Sequence, residues 1–542
     1  MARALHRRSS IDAIIIKPGF FPGFCSFKRV FMSDTTKPAL IEQMLSPEFY
    51  SHPVQTPIRL VQTHISYVLL TGDYAYKVKK PLDFGFLNYA TLERRKHFCH
   101  EELRLNQRGA GEVYLEVLPI TQQGDRYCLG GSGAPVEYTV KMRQFPQDRL
   151  LSRYFDRGEL TPEMLQELAQ VVAAFHQAAP SSDYVRSFGE ISQVRQSIDE
   201  NYDQTEQYVG GPQTQQQFDQ TRAYTDRFFA EQQALFQSRI DSGQIRECHG
   251  DLHLNNICYW HDKYLLFDCI EFNEPFRFVD VMFDIAYVVM DLEAQNRSDL
   301  STLFLNTYVE QTGDWDGLQI LPLYVSRQTY VRAKVTSFLL NDPSVPDDEK
   351  QAAQETAARY YRLAWQYAQP RQGTLTLMSG LSGSGKSTVA RSIAARTGAI
   401  QIRSDAVRKH LGGIDLQRQG DSSLYSPEMT QKTYARLVDL ASRLLDAGYS
   451  VILDAKYDRL QHRQPIIAAA AARQVPLQII YCDAPQAVRE DRIRSRQDIA
   501  DATVEVMKQQ TFESFTAEEQ PYLCSVDTTQ PVEPQIKGLG ND

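Results

Sequence analysis

The sequence lacks long hydrophobic runs, clustered cysteines and an excess of basic charge. No stretch approaches the roughly 20 consecutive apolar residues that a membrane-spanning helix needs. The eight cysteines are scattered and form no C-x-x-C pair, which disfavours a disulfide framework or a zinc site and predicts reduced thiols in a cytoplasmic protein. With 58 Lys and Arg against 67 Asp and Glu, the net charge of −9 argues against a protein that coats nucleic acid, although a local basic groove remains open.

The length and composition are those of a multidomain globular protein. Since a domain usually has about 100 to 200 residues, the 542 residues predict two to four folded units. The 42 % hydrophobic and 23 % charged fractions exclude a collagenous or largely disordered chain. The N-terminal stretch begins like a signal peptide, but Asp12, Lys17 and Pro18 break it, and Met32 opens a more ordinary start. We expect residues 1–39 to be a disordered extension, of which residues 1–31 are alternatively an upstream start-site artefact.

Hydrophobic patterning divides the remaining chain into two parts. Strand-like runs at residues 58–63, 65–70 and 74–80, a helix at 91–107 and strands at 114–120 and 136–143 predict a β-rich small lobe over about 50–143. Helical sequence follows over about 144–369 and completes a first domain at 40–369. From residue 371 short apolar runs alternate with helical segments, which predicts a parallel sheet in a second domain at 370–530, with a tail at 531–542.

The most specific motif stands at the start of the second domain, directly after an apolar run. Residues 380–387 read G-L-S-G-S-G-K-S and fit G-x-x-x-x-G-K-[ST], a loop whose backbone N–H groups surround phosphate oxygens at a helix N-terminus. We expect Lys386 to reach the β- and γ-phosphates of ATP and Ser387 to hold Mg²⁺. The predicted nucleotide-binding residues are Gly380, Ser382, Gly383, Ser384, Gly385, Lys386, Ser387 and Thr388. A plain glycine turn is the alternative.

Other polar residues of this domain follow the strands, at the edge where ligands bind in such sheets. Asp454 ends the third strand and is expected to hold the metal through water or to orient the attacking group. Asp405 and Arg408 lie one helical turn apart after the second strand, where they would place an acceptor hydroxyl between a base and a cation. A helix N-cap is the structural alternative for Asp405.

Arginines recur along the helix that follows the fourth strand. Arg489, Arg492 and Arg496 share one helix face, and they either close over the transferring phosphate or form a solvated basic surface. With the phosphate loop and the S-D-x-x-R stretch at 404–408, they resemble the small-molecule P-loop kinases over residues 372–527. That group includes gluconate kinase-like, zeta toxin-like and polynucleotide 5′-hydroxyl kinase-like proteins, and it implies Asp405 as the substrate-side base. The acceptor itself stays open.

A second chemical cluster lies in the helical part of the first domain, where residues 249–256 read H-G-D-L-H-L-N-N. A hairpin-like pair of strands follows and ends in Asp268, which it is predicted to fold back beside Asp251 and Asn256. Two carboxylates and an amide there would supply oxygen ligands for Mg²⁺ and one group that accepts a hydroxyl proton. An Asp base, an Asn five residues later and a metal-binding Asp after a hairpin form the protein-kinase catalytic loop. For His253 and Glu271, a supporting role and a plain core role both remain open.

The stretch H-G-D-L-H-x-x-N resembles the aminoglycoside phosphotransferase and choline kinase branch of the kinase-like fold. The resemblance implies that Asp251 is the catalytic base, that Asn256 and Asp268 are the Mg²⁺ ligands, and that Asp284 braces the catalytic loop. It also implies a nucleotide-holding lysine with an ion-pair partner, for which Lys77 is preferred over Lys79 and Glu102 over Glu101.

The chain departs from that branch in the phosphate-covering loop. No G-x-G-x-x-G is present there, and residues 62–66 read Q-T-H-I-S. The hydroxyls of Thr63 and Ser66 are the groups that would hold phosphate instead. The departure leaves open whether this domain transfers phosphate or only binds nucleotide.

The order of the two domains resembles bacterial bifunctional aminoglycoside phosphotransferase-like and P-loop ATP-binding (kinase) fusion proteins, over residues 40–530. The implied fold is an α+β protein-kinase-like domain followed by an α/β P-loop NTPase domain with a parallel sheet. The implied function is that of an ATP-dependent phosphotransferase with two ATP·Mg²⁺ sites, which moves γ-phosphoryl groups to hydroxyls of a small molecule of sugar or nucleoside type. Neither a membrane partner nor an antibiotic acceptor is implied.

Two alternatives belong to different functional classes. In the first, the kinase-like domain is a ligand-sensing pseudo-kinase that regulates the P-loop domain. The altered phosphate-covering loop favours this alternative. In the second, the P-loop domain is a polynucleotide 5′-hydroxyl kinase, which would require a basic groove. From residue 371 onward the chain has 21 Lys and Arg against 20 Asp and Glu, and this near-neutral charge disfavours a nucleic-acid partner.

Overall fold

The computed structural model describes residues 37–495 and 498–538, so the predicted N-terminal extension lies almost entirely outside the described residues, as does Arg496. The chain opens on a six-stranded antiparallel sheet with the strand order β1-β2-β3-β6-β4-β5. The elements of this small lobe are α1 (Ala39–Met44), β1 (Arg59–Gln62), β2 (Ser66–Leu70), β3 (Tyr74–Lys79), α2 (Leu92–Ala110), β4 (Tyr114–Gln123), β5 (Arg126–Leu129) and β6 (Pro135–Arg143).

The small lobe follows the predicted pattern. The first three strands are confirmed as β1 to β3, and the predicted helix is confirmed as α2, which begins where the Thr91 hydroxyl accepts a hydrogen bond from the N–H of Arg94 at 3.3 Å. One face of the sheet buries Leu69, Tyr76 and Ile120 in a common core. The strand β5 was not predicted, because its four residues are only partly buried at a sheet edge and carry little hydrophobic signal.

A largely helical lobe follows. Its elements are α3 (Leu151–Asp156), α4 (Pro162–Ala178), α5 (Asp183–Arg186), α6 (Ile191–Thr205), α7 (Gln215–Glu231), α8 (Gln233–Asp241), β7 (Ile245–Glu247), β8 (Ile257–Trp260), β9 (Lys263–Leu266), α9 (Glu274–Arg277), β10 (Phe278–Asp280), α10 (Val281–Glu293), α11 (Ser298–Thr312), α12 (Leu321–Phe338) and α13 (Asp347–Tyr367). Helix α10 is apolar on nearly every side and buried along most of its length, which makes it the centre of this lobe.

The C-terminal part is a five-stranded parallel sheet with helices between its strands and the strand order β12-β13-β11-β14-β15. Its elements are β11 (Leu375–Ser379), α14 (Lys386–Thr397), β12 (Ile400–Arg403), α15 (Ser404–Leu411), α16 (Pro427–Asp446), β13 (Val451–Asp454), α17 (Leu460–Arg473), β14 (Leu477–Asp483), α18 (Gln486–Ser495), α19 (Val504–Lys508), β15 (Leu523–Asp527) and α20 (Val532–Ile536). Four strands are confirmed and β15 was missed, since its short sequence mixes polar and apolar residues.

The described chain forms two compact units. One comprises the small lobe to Gln147 with Leu266–Phe276, and the other comprises Asp148–Leu265 with everything from Arg277 onward. The helical lobe and the parallel sheet thus belong to one unit, in which Asn306 of α11 donates to the carbonyl of Ala399 at 3.0 Å and accepts from the N–H of Gln401 at 2.8 Å. Helix α11 covers the open edge of β12 in this way. No helix among the described residues combines the length and the apolarity that a bilayer span requires.

Candidate active sites

A buried ion-pair cluster joins β3 to α2 in the small lobe. Lys77 and Lys79 are two residues apart on a strand, so their side chains leave the sheet on the same face. Both amines reach Glu102, with Nζ–Oε distances of 2.7 Å for Lys77 and 2.6 Å for Lys79. Lys77 also pairs with Asp268 at 2.8 Å, and Lys79 pairs with Glu271. Three predicted site residues therefore meet here, and Glu271 takes part as a second buried carboxylate.

The charges in this cluster stabilise one another in a site nearly closed to water. The side chain of Glu102 is 0 % exposed and that of Lys77 is 13 % exposed, whereas that of Asp268 is 47 % exposed. Burial favours neutral lysine, but Asp268 and Glu102 outweigh it and hold the pKa of Lys77 well above its ordinary value. Asp268 has φ +63°, a left-handed conformation that residues other than glycine rarely adopt. Its carboxylate is the most exposed one of the cluster.

The turn between β1 and β2 stands where the glycine-rich loop is missing. Thr63 Oγ1 accepts a hydrogen bond from the N–H of Ser66 at 2.9 Å, and the two hydroxyls lie 2.8 Å apart. Lys80 Nζ donates to the Thr63 carbonyl at 2.6 Å. The two hydroxyls predicted to hold phosphate are thus bonded to each other and close the turn. Lys80, which the sequence analysis did not select, adds a positive charge to it.

The catalytic-loop motif connects β7 to β8 in the helical lobe. Asn256 Nδ2 donates to the backbone carbonyl of Asp251 at 2.9 Å and lies 3.3 Å from its Oδ2. His253 Nε2 lies 3.3 Å from the same Oδ2. The Asp251 side chain is buried, and its Oδ1 has no hydrogen-bond partner among the described residues. One carboxylate oxygen is therefore anchored and the other remains for a group that the protein does not supply.

A buried aspartate braces this loop from α10. Asp284 accepts hydrogen bonds from the backbone N–H of His249 at 2.9 Å and of Gly250 at 2.8 Å. His176 Nε2 lies 3.0 Å from the same carboxylate, and the Tyr308 hydroxyl lies 2.8 Å from His176 Nδ1. Burial opposes ionisation of Asp284, but the bond to His176 prevails and lowers the pKa of Asp284 below its ordinary value. An ionised carboxylate thus fixes the loop that presents Asp251.

The phosphate loop lies between β11 and α14, as predicted. Gly380 has φ +135°, and a Cβ at this position would lie 2.4 Å from the carbonyl oxygen of Cys482, so only glycine fits. Lys386 Nζ donates across the loop to the Leu381 carbonyl at 2.9 Å. The Ser384 hydroxyl is buried and has no hydrogen-bond partner among the described residues. Of the other predicted residues, Ser387 and Thr388 lie in the first turn of α14.

Two contacts from distant sequence fix the phosphate loop. Gln510 accepts from the N–H of Ser382 at 3.0 Å and donates to its hydroxyl at 2.9 Å, although the two residues are 128 positions apart. Arg492 donates to the Thr528 hydroxyl at 2.8 Å and to its carbonyl at 2.7 Å, and that hydroxyl donates to the Ser384 carbonyl at 2.9 Å. Arg492 therefore supports the loop through Thr528. Sequence reasoning missed Gln510 and Thr528, because no local motif marks them.

Arg489 lies on α18 like Arg492, but its contacts with the phosphate loop are different. Its backbone carbonyl packs against the phosphate loop, where a Cβ on Gly383 would lie 2.7 Å from that oxygen. Its Nε and Nη1 atoms are buried and have no hydrogen-bond partner in the described part of the chain. A residue whose backbone borders a phosphate loop and whose guanidinium has two donors without an acceptor is suited to bind a phosphate oxygen.

The carboxylates predicted for this domain lie near the loop lysine. Asp454 is the last residue of β13, is buried, and accepts a hydrogen bond from Gln401 Nε2 at 2.9 Å. Burial lowers the pKa of Lys386, and the negative charges of Asp454 and Asp405 oppose that shift. Asp405 lies in the first turn of α15, but the residue at the N-cap position is Arg403. The N-cap alternative for Asp405 is therefore wrong, because the helix begins one residue before it.

Arg408 follows Asp405 on the same helix and is buried. Its Nη1 donates to the Leu424 carbonyl at 3.1 Å and to Thr430 Oγ1 at 3.2 Å, and its guanidinium lies 5.1 Å from the ring centre of Tyr425. Its Nε has no hydrogen-bond partner among the described residues. Burial chiefly raises the pKa of Tyr425, and Asp405 adds to that rise while Arg408 opposes it, so both predicted residues act on one tyrosine.

The polar groups of the kinase-like domain and those of the P-loop domain both fit ATP with Mg²⁺. Carboxylate and amide oxygens suit a hard cation, and lysine with backbone N–H groups suits phosphate. The orphaned Asp251 Oδ1, Ser384 Oγ and Arg489 Nε are the atoms that an acceptor and a nucleotide would satisfy.

Comparison with known proteins agrees with this division. The family model described as phosphotransferase enzyme family matches residues 126–321, and the one described as AAA domain matches residues 375–516. The uncharacterized proteins Rv2004c of Mycobacterium tuberculosis and Mb2027c of Mycobacterium bovis are each 31 % identical to this chain over 463 residues, which cover 84 % of this chain and 90 % of theirs.

Solved structures resemble each part separately. The GDP complex of aminoglycoside 2′-phosphotransferase-IIIa is 13 % identical, with coverage of 60 % of this chain and 99 % of that one and a TM-score of 0.36. A sugar kinase from Janibacter sp. HTCC2649 is 23 % identical, with coverage of 31 % of this chain and 91 % of that one and a TM-score of 0.24.

Proposed function

This chain belongs to the bacterial family that joins an aminoglycoside phosphotransferase-like domain to a P-loop kinase domain, and we propose that each domain transfers the γ-phosphoryl group of ATP to a hydroxyl of a small molecule. The chain is thus a kinase-type phosphotransferase, and the proposal adds that both domains are active. The observation that carries it is the Lys77 amine held between Glu102 and Asp268, since a domain that only senses a ligand has no need of an accessible carboxylate beside that lysine.

In the kinase-like domain, we assign Lys77 to the nucleotide phosphates and Glu102 to holding its amine. Asn256 and Asp268 would hold Mg²⁺, which would neutralise charge on the phosphate oxygens. Asp251 accepts the proton of the acceptor hydroxyl while the hydroxyl oxygen bonds to the γ-phosphorus. The bond from that phosphorus to the bridging oxygen breaks, and ADP leaves with the electron pair.

In the P-loop domain, the backbone of residues 380–387 and Lys386 bind the phosphates. Ser387 and Asp454 are the groups for Mg²⁺, directly or through water. Asp405 accepts the proton of the acceptor hydroxyl, and Arg408 orients that acceptor. Arg489 neutralises the charge on the transferring group.

The experiment is untargeted mass spectrometry of a bacterial metabolite extract incubated with ATP, Mg²⁺ and the purified protein, beside Asp251→Asn and Lys386→Ala. We expect two phosphorylated products, one lost in each variant. Loss of a general base lowers transfer by about 100- to 10,000-fold, so the distinction is clear. The exposed Lys432→Ala, whose side chain is 60 % exposed, serves as a matched lysine control.

A regulatory role of the kinase-like domain is the second candidate, favoured by the hydroxyls of Thr63 and Ser66 that bond to each other. In that case Asp251→Asn would leave every product unchanged, while Lys386→Ala would abolish transfer. A single product that is lost in Lys386→Ala alone would therefore replace the bifunctional proposal with the regulatory one.

A further inference from the structure

Helix α11 of the helical lobe meets β12 of the P-loop domain through two side chains. Asn306 and Glu310 are four residues apart on α11, so they leave the same face of the helix. Asn306 accepts from the N–H of Gln401, and Glu310 Oε1 lies 3.4 Å from Nη1 of Arg403, the last residue of β12. One face of a helix in the kinase-like domain therefore holds the end of a strand in the P-loop domain.

Both of these β12 residues reach Asp454. Gln401 and Arg403 are two residues apart on the strand, so their side chains lie on the same face of the sheet. Gln401 Nε2 donates to Asp454 Oδ2 at 2.9 Å, and Arg403 Nε lies 3.9 Å from the same oxygen. The side chains of Arg403 and Asp454 are both buried. One carboxylate oxygen of the P-loop site is thus contacted by two residues that α11 holds.

Arg403 also holds the segment that begins at Asp498. Its Nη2 donates to both carboxylate oxygens of Asp498, each at 2.7 Å. Three residues later, Asp501 accepts a hydrogen bond from the Tyr425 hydroxyl at 2.7 Å. The ring of Tyr425 is the one that lies 5.1 Å from the Arg408 guanidinium. The segment from Asp498 to Asp501 therefore connects Arg403 with the residues assigned to the acceptor.

Arg403 stands in addition at the start of the helix that carries the proposed base. It is the N-cap residue of α15, with φ −88° and ψ 128°, and Asp405 lies two residues later in the first turn. The backbone is stiff over so short a distance, because only the φ and ψ angles can absorb a movement. A displacement of Arg403 is therefore passed on to Asp405.

Three carboxylates share the charge of Arg403. The side chains of Glu310 and Asp498 are 23 % and 24 % exposed, whereas that of Asp454 is 3 % exposed. A buried cation depends on the opposite charges around it, and screening by water is weak there. Removal of the Glu310 charge would leave the guanidinium to the other two carboxylates, one of which belongs to the P-loop site.

We propose that Glu310 of the kinase-like domain is a positioning residue of the P-loop site, where it acts through Arg403 on Asp454 and on the first turn of α15. The inference rests on the proposed function of the P-loop domain. Glu310 offsets the attraction of the guanidinium to Asp454, so that this carboxylate stays available to the site and Asp405 stays aligned with the acceptor.

Neither Glu310 nor Arg403 gains or loses a bond in the transfer. The acceptor oxygen bonds to the γ-phosphorus, the bond to the bridging oxygen breaks, ADP leaves with the electron pair, and Asp405 takes the hydroxyl proton. Phosphoryl transfer by the P-loop domain therefore depends on a side chain of the other domain.

The first test compares the full-length protein with Glu310→Gln by the rate of the product that Lys386→Ala abolishes. We expect kcat to fall by about 10- to 100-fold, the size of effect that a small displacement of reacting groups has, with little change in the KM for ATP. Glu310→Asp keeps the charge on a shorter side chain and should recover part of the loss.

The matched control is Asp316→Asn. Asp316 lies after α11 and joins the same two domains through ion pairs with Arg436 and Arg443 of α16. It removes one carboxylate from the contact between the domains without touching Arg403, and we expect it to leave kcat unchanged.

A double variant tests the path through Arg403. If Glu310 acts through Arg403, then Glu310→Gln combined with Arg403→Gln is no slower than Arg403→Gln alone, whereas two independent roles would multiply their losses.

Hydrogen exchange of the protein without ATP or Mg²⁺ gives a readout apart from activity. The backbone amides of α15 are expected to exchange faster in Glu310→Gln than in the wild type or in Asp316→Asn. Helix α17 of the same domain is the internal reference, because a general loss of stability would speed exchange in both helices.

The outcomes are distinct. An unchanged kcat in Glu310→Gln, an equal loss in Asp316→Asn, or losses that multiply in the double variant would overturn the positioning role and leave the proposed function standing. The same holds if exchange in α15 is unchanged, or if it rises equally in α17. Absence of any Lys386-dependent product from the wild type contradicts transfer by the P-loop domain, and the inference falls with it.

Discussion

The substitution Lys334→Met tests the electrostatics of the helical lobe independently of any acceptor. Burial, with a smaller contribution from Arg327, lowers the pKa of Lys334 from 10.5 to about 7, and Glu200 opposes the shift only in part. An unfolded lysine stays charged up to pH 10.5, so below pH 7 both states carry the charge and the folded state bears the full cost of burying it. At about 1.4 kcal/mol for each pH unit, the cost approaches about 5 kcal/mol.

The sign of the pH dependence follows from proton binding. Between about pH 7 and pH 10.5 the unfolded protein binds one more proton at this site than the folded protein, so the stability of the wild type rises with pH in that window. The variant has no such group. We therefore expect the advantage of Lys334→Met to be largest below pH 7 and to shrink by about 3 kcal/mol between pH 7 and pH 9. Loss of the two hydrogen bonds that Lys334 donates to Asn201 and Gln204 costs about 1 to 3 kcal/mol at every pH and leaves the slope unaffected.

Urea unfolding followed by tryptophan fluorescence provides the assay. The three tryptophans, Trp260, Trp315 and Trp365, all lie in the helical lobe, so the signal reports on the lobe that contains Lys334. The difference in the free energy of unfolding between wild type and variant is compared at pH 6, 7, 8 and 9, with Lys432→Met as the exposed control. A difference that stays constant from pH 6 to pH 9 would refute the reasoning, because it would mean that Lys334 keeps an ordinary pKa.

Three further outcomes follow from the contacts. Glu102→Gln removes the carboxylate shared by Lys77 and Lys79, and since breaking a buried pair costs about 3 to 5 kcal/mol, we expect a lower denaturation midpoint and loss of the Asp251-dependent product. Asp284→Asn replaces the carboxylate that accepts from two loop N–H groups with a neutral acceptor. It should lower kcat for the Asp251-dependent product by at least about tenfold without changing the P-loop product. Equal losses of both products would contradict the role of Asp284 as a local brace of the catalytic loop. A 5′-hydroxyl oligonucleotide should bind weakly and with little dependence on salt, because basic and acidic residues nearly balance in the P-loop domain. A steep loss of binding between about 50 and 200 mM salt would instead favour the polynucleotide kinase alternative.

The parts of the sites that could be predicted are those that a contiguous motif encodes. The phosphate loop needs glycines, Lys386 and Ser387 within eight residues, and the strands that end just before Asp405 and at Asp454 are short apolar runs. Local backbone geometry fixes such groups, so sequence is enough. Lys77 and Glu102 were assigned through family resemblance, and their contact depends on a sheet and a helix that each had a clear pattern.

The contacts that could not be predicted join residues far apart in the chain. Gln510 reaches the phosphate loop across 128 positions, and Asn306 reaches the edge of β12 from another domain. Neither residue type is unusual at the surface of a protein, so nothing in the local sequence marks it. The same holds for Lys334, which lies on a helix with little amphipathic pattern because it is buried on most sides.

The overall charge of the chain does not identify the acceptor. Residues 1–370 carry 37 Lys and Arg against 47 Asp and Glu, which taken alone would favour a cationic acceptor for the kinase-like domain. Most charged side chains lie at the surface, where water screens them, so this balance describes solubility and long-range attraction. A bound acceptor instead meets the few charges inside the lobe, where screening is weak and each charge acts strongly. The acidic surplus of residues 1–370 therefore does not decide which alcohols can bind beside Asp251.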